Sequence, residues 1–302
     1  MASIRPIRRM LRACILACVV ESAVRAAGGA YSAHAQIAVP MGPMSVQNVT
    51  VATISFSEAY NSEQSQGNYW NALLLLNSGT EHQIAPLILK TTSMVRLGAT
   101  YLDIPSTTNA VRVTENDLFV EGAVIYPAGW MMNPYISASI RTPITETFNL
   151  MGNHRVRMAK FWDPVTSMQG LGFAYILGGP FGRINMRVGG AMQQIRSHDH
   201  TMLTDDRSTP AINEAYKAQT GLEHVDDVYL VIDTAITYTG RLALFSAFED
   251  LDVWTVRFDS SLQFRFLRFL AFTWNLGITN DIRVSPRTIF RHTVNFGIIQ
   301  NF

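Results

Sequence analysis

From Trp254 to Phe266 the chain reads WTVRFDSSLQFRF. The even positions are Trp254, Val256, Phe258, Ser260, Leu262, Phe264 and Phe266; the odd ones are Thr255, Arg257, Asp259, Ser261, Gln263 and Arg265. A period of two puts one set on each face of an extended strand. The same alternation returns four times. Leu270, Phe272, Trp274, Leu276 and Ile278 form one oily row; Val228, Leu230, Ile232, Thr234, Ile236 and Tyr238 form another, opposite Asp227, Asp233 and Thr237. Ile184, Met186, Val188 and Met192 stand opposite Arg183, Asn185 and Arg187, and Leu118, Val120, Val124 and Tyr126 stand opposite Asp117 and Glu121.

A soluble β-sandwich alternates too, and a secreted soluble β-protein is the competing reading. Length separates them. These rows run about nine to fourteen residues, nearer a membrane strand of about 9–11 than the globular mode of about 5–6. Two uncharged windows, 122–140 and 166–182, are long enough for a membrane helix, but Pro127, Gly129 and Pro134 break the first, and five glycines and a proline break the second. The pattern predicts an all-β transmembrane antiparallel up-and-down barrel of about twelve strands, near 48–59, 68–77, 90–101, 114–127, 132–144, 166–178, 181–196, 226–238, 240–248, 253–267, 269–280 and 288–302. The long connections 102–113, 145–165 and 197–225 then share one side. The short turns, Pro127–Met131, Gly179–Pro180, Thr239 and Arg268, share the other, as in outer-membrane barrels. Only 78–89 is a long connection on the short-turn side.

Tyr126, Tyr238, Phe266 and Phe302 are expected at the inner rim, and Trp254 and Phe290 at the outer rim. Amphipathic rings belong at both interfaces. The chain stops on TVNFGIIQNF, where Phe302, Ile298, Phe296, Val294 and Phe290 share a parity. The last strand of a barrel must pair with the first, because lipid satisfies no backbone group. A terminal phenylalanine on such a strand is the kind of signal bacterial barrel-assembly machinery reads, so Phe302, Ile298, Phe296 and Val294 are the expected assembly signal.

The N-terminus changes the reading of composition. MASIRPIRRMLR is basic, ACILACVV is a short apolar core, and Ala33 and Ala35 offer a small-residue cleavage site. Residues 1–35 are expected to be a secretory signal peptide, with 36–302 the barrel. Cleavage before Cys18, giving a lipoprotein, is the alternative at this end. The signal holds both cysteines, five arginines and one glutamate, leaving 19 Lys and Arg against 22 Asp and Glu. There is no basic footprint for nucleic acid. A chain without cysteine suits an oxidising compartment, and the expected address is the bacterial outer membrane.

Three stretches, NYWNALLLLNSG (68–79), FWDPVTSMQGLGFAYIL (161–177) and LALFSAFEDLDVWTV (242–256), resemble an uncharacterised, domain-of-unknown-function family of predicted outer-membrane β-barrels of Bacteroidota-like bacteria. The resemblance implies the fold and the address; it implies no activity.

Candidate lumen-lining residues are Lys90, Arg96, Glu121, Arg183, Arg187, Asp227, Asp233, Arg257, Asp259, Arg265 and Arg291. They could border a path for small solutes, or pair with one another inside a closed structural barrel. His198, Asp199, His200, Asp205 and Asp206, with the segment EHVDD (223–227), are metal-ligand types, but HxH in a loop fixes no geometry, and no metal or cofactor is expected. His292, on the oily parity near Ser285, raises a lipid-modifying enzyme as a third reading. GGPFGRI (178–184) lacks the strand–helix context of a phosphate loop. The expectation is a barrel without catalysis, whose partners are membrane lipids, the assembly machinery and small solutes.

Overall fold

The computed structural model describes residues 46–62, 67–103, 110–129, 131–151, 154–199, 204–205, 213–267, 270–281 and 288–298. The expected signal peptide, Phe302 and Ser285 lie outside them. The strands are β1 (Val46–Ser62), β2 (Gly67–Ile84), β3 (Leu87–Asp103), β4 (Ala110–Ile125), β5 (Asn133–Thr142), β6 (Thr147–Met151), β7 (His154–Ala159), β8 (Val165–Gly179), β9 (Gly182–Arg196), β10 (Tyr216–Asp233), β11 (Ile236–Ala247), β12 (Trp254–Arg265), β13 (Leu270–Asn280) and β14 (Ile289–Ile298). Twelve of them form one antiparallel sheet in chain order, interrupted only where β6 and β7 leave as a separate hairpin. The first and last strands, β1 and β14, come within 8 Å of each other, Cα to Cα. Side chains of β3 and β12, and of β4 and β14, are hydrogen-bonded directly. Such contacts exist only if the sheet curls on itself. The fold is an up-and-down β-barrel.

Three connections differ from the sequence reading. The segment 78–89 is not a loop: β2 runs on to Ile84, turns at 85–86, and pairs along its whole length with β3. NSGTEHQ has turn composition, yet its Thr80 and Glu81 sit opposite Thr91 and Lys90 and continue the alternation. The loop 197–225 is shorter, because β10 begins at Tyr216 and takes EHVDD into its middle. The turn placed at Thr239 is at 234–235, and Thr239 lies within β11 opposite Tyr229. With these changes the asymmetry is sharper. One end has the turns 85–86, 180–181 and 234–235; the other has the connections 143–164 and 197–215.

The wall is oily outside and polar inside. Val120, Ile136, Ile140, Leu171, Phe173, Leu177, Val188, Met192 and Val294 are exposed, while Glu121, Ser137, Asn185, Arg187, Glu223, Gln263 and Thr273 are buried. A sheet in water would show the reverse. Exposed Tyr126, Phe181 and Phe266 lie at the short-turn end; exposed Tyr216 and Phe290 lie at the other, where Trp254 begins β12. Tyr238 is three residues into β11, and Phe302 is outside the described residues.

Candidate functional site

The lumen is crossed by ion pairs. β4 supplies an acidic rail, with Glu115, Asp117 and Glu121 on its inward parity, and each carboxylate meets a guanidinium. Glu115 accepts from Arg291 at 2.8 Å, Asp117 from Arg141 at 2.6 Å, and Glu121 from both Arg187 and Arg241 at 2.6 Å. Arg241 also donates to Asp227 at 2.7 Å, and Lys90 and Arg187 each lie 3.9 Å from Asp227. Arg96 on β3 donates to Asp259 on β12 at 2.8 Å, and Arg183 on β9 to Glu81 on β2. Several of these pairs join strands on nearly opposite sides of a twelve-stranded sheet: β2 with β9, β4 with β11, β3 with β12.

The packing is close. Arg187 is 2% exposed and Asn185 1%. The guanidiniums of Arg141 and Arg241 lie 4.6 and 5.1 Å from the ring centre of Phe119, at cation–π distance. The Tyr135 hydroxyl donates to Glu223 at 2.6 Å, and Gly170 makes room for that carboxylate: a Cβ there would come within 2.0 Å of Glu223 Oε1. Toward the short-turn end Ile88, Ile125, Tyr135 and Ala174 form an apolar inward cluster. Two charges taken from water are tolerated only when paired and hydrogen-bonded, and the lattice meets that condition along most of its length. The Asn185 amide and the Arg187 Nε and Nη1 have no protein partner among the described residues; buried groups of this kind are where ordered water sits.

The sequence candidates separate clearly. Lys90, Arg96, Glu121, Arg183, Arg187, Asp227, Asp259 and Arg291 are in the lattice. Arg257 and Arg265 share its parity on β12, outside the pairs just described. Asp233 is not in the lumen. It ends β10 exposed, and its carboxylate accepts from the backbone and hydroxyl of Thr234 in the turn. Six members are missing from that candidate set: Glu81, Glu115, Asp117, Arg141, Glu223 and Arg241, of which Asp117 is placed by the sequence only opposite the oily row of its strand. Glu81 and Glu223 fell in segments read as loops, and Arg241 sat at an expected strand edge. Strict inward parity would have found Glu115 and Arg141.

Of the metal-type residues, His200 and Asp206 lie outside the described residues, and no group of three or more His, Cys, Asp or Glu that could hold a metal occurs among the described ones. His198 and Asp199 instead join a clasp at the long-loop end. Buried Asp163 accepts from the Ser197 hydroxyl (2.8 Å) and from the backbone N–H groups of His198 (2.9 Å) and Asp199 (2.8 Å). Asp199 is bonded by Lys160, by His198 at 2.5 Å and by Arg157 at 3.3 Å. The Lys160 ammonium, then the His198 ring, hold its carboxyl down at about 2. EHVDD splits across the wall: Glu223 and Asp227 point inward, while His224 Nε2 lies 2.8 Å from Asp226 Oδ2 on the outward parity. His292 is exposed on β14, its ring 6.3 Å from that of Phe290. Val294 is likewise exposed; Phe296 and Ile298 share its parity on β14.

No protein-family model and no curated protein matches the chain. The resemblance to the uncharacterised barrel family therefore stands on its motifs alone. Among solved structures, the chain is similar to an outer membrane channel from Pseudomonas putida F1, at 13% identity over 88% of this chain and 97% of that one, with a TM-score of 0.38. It is also similar to the translocator domain of the autotransporter NalP from Neisseria meningitidis, at 10% identity over 87% of this chain and 90% of that one, with a TM-score of 0.39. Neither likeness bears on what this chain does.

Proposed function

We propose that the chain is an exported outer-membrane β-barrel, standing in the bilayer with its long loops outward and its lumen shut by the ion-pair lattice. It is a structural or surface-interaction barrel, with no open path for solutes and no chemistry of its own. One observation carries the closed lumen: Arg96 to Asp259, Arg183 to Glu81 and Arg241 to Glu121 bridge strands from nearly opposite sides of the sheet. Twelve strands lie between eight-stranded barrels, which side chains fill, and porins of 16–18, which side chains cannot close. The apolar outer face and the rim aromatics support the membrane setting. The basic, apolar and small-residue order of 1–35 supports export, and Phe302, Ile298, Phe296 and Val294 support recognition by the assembly machinery. The family resemblance points the same way.

The test is liposome swelling. Barrels of 36–302, shown folded by heat-modifiable gel migration, are inserted into liposomes and challenged with small sugars. Swelling no faster than in protein-free liposomes is expected. Rapid swelling would favour the competing reading, a small-solute pore.

A further inference from the structure

Donors outnumber acceptors on the inner face of the wall. Among the described residues, the buried inward side-chain atoms without a protein partner belong to Arg183, Asn185 and Arg187 on β9, Gln263 and Arg265 on β12, and Asn275 on β13. All are nitrogens except Asn185 Oδ1. Turning the Asn185 amide over leaves one donor there all the same. Arg183, Asn185 and Arg187 follow one another on the inward parity of β9. Steps of about 6.8 Å separate them along the strand, a span that arginine side chains bridge. On the neighbouring β8, Gly178 pairs with Arg183 and Ala174 with Arg187, with Ile176 between them. The two small residues leave space beside both arginines.

Charge is out of balance in the same place. Lys90, Arg183, Arg187 and Arg241 are bridged to Glu81, Glu121 and Asp227, four cations to three carboxylates. Glu223 is bonded to Tyr135 instead, and forms no ion pair with any of the four among the described residues. Lys90 is the least served, with Asp227 3.9 Å away. Arg187 and Asn185 are buried, so counter-ions in bulk water do not compensate the excess, and an uncompensated buried charge is strongly disfavoured. A water accepting from these donors would bring hydrogens of its own to a face already short of acceptors. An anion brings none.

We propose that a small monovalent inorganic anion, a halide, is bound inside the wall at Asn185, accepting from its amide and from the guanidiniums of Arg183 and Arg187. The proposal rests on the shut lumen argued above, of which the anion is a part. One negative charge matches one cation in excess; a dianion would overshoot it. A buried site also favours a partner that gives up its water readily, as the weakly hydrated guanidinium does.

The test is urea unfolding of the barrel, purified from membranes in detergent, in sodium chloride against sodium gluconate at matched ionic strength. Gluconate is too large for an enclosed site. Above the dissociation constant, each tenfold rise in chloride should raise the folding equilibrium constant about tenfold, with bromide acting alike and gluconate inert. Asn185→Asp supplies the negative charge covalently and should remove the chloride dependence. Equal stability in chloride and gluconate, in a barrel that does not swell liposomes, would overturn the anion and leave the shut lumen standing. An unchanged chloride slope in Asn185→Asp would place the anion elsewhere and overturn the site. Should that variant not fold, crystals of the unmodified barrel grown in sodium bromide decide: an anomalous peak beside Asn185 is expected, and its absence would overturn the site. Rapid swelling without chloride dependence would sink both readings.

Discussion

Arg187 and Val188 are neighbours in β9, yet Arg187 is 2% exposed and Val188 50%. The same inversion holds at Glu121 beside Val120, and at Glu223 beside Leu222. Both faces obey the period of two that any half-buried sheet shows. What differs is the content of the two faces: the inner one is dense in charge that has to be paired, and the outer one is mainly apolar, with the His224–Asp226 pair an exception. The inner face is thus held by directional pairs that fail when one partner is lost. The outer face is held by a non-directional medium that tolerates most apolar exchanges.

The comparison can be broken hardest from inside. Glu121→Leu strips the shared acceptor from Arg187 and Arg241. Breaking a buried pair in this way costs about 3–5 kcal/mol, and chemical unfolding of the refolded barrel should show a loss of that size. From outside, Val188→Arg places a charge near mid-strand and should cost about 2–4 kcal/mol. Val188→Leu should be close to neutral in the same experiment, which sharpens the contrast between the faces.

A smaller effect is expected at Tyr135→Phe. It removes the hydroxyl that donates to Glu223 at 2.6 Å and leaves a buried acceptor, at about 1–3 kcal/mol. If its unfolding midpoint matches the unmodified barrel, the Glu223 contact contributes nothing. The smallest effect belongs to the clasp outside the barrel. Asp199 titrates at about 2 when folded, below its ordinary 3.8, so its bonds to Lys160 and His198 are fully present above about pH 4 and are lost as pH falls through 2. Hydrogen exchange at 154–159 should rise across that window while the barrel strands stay protected, and Asp199→Asn should abolish the pH dependence.

Much of the fold was legible because alternation is local. Trp254 to Phe266 announces a two-faced strand by itself, and so does Ile184 to Met192. Errors arose where a strand carried turn residues: NSGTEHQ at the end of β2, and TGLEHVDD in β10. A lumen-facing strand tolerates glycine and charge in a way composition cannot distinguish from a loop. The lattice was legible only as a set of inward charges. Its pairs join residues 66, 120, 163 and 176 positions apart, and no local pattern states which acid meets which base.

The most direct test of the central claim is single-channel conductance of 36–302 in a planar bilayer, compared with Glu121→Ala/Arg241→Ala, which removes both sides of a cross-lumen bridge. The account predicts that the unmodified barrel inserts and stays electrically silent, and that the double variant shows discrete openings. Large, stable steps from the unmodified barrel, unchanged in the variant, would contradict it: the lumen would be open, and the ion pairs would line a path rather than close it.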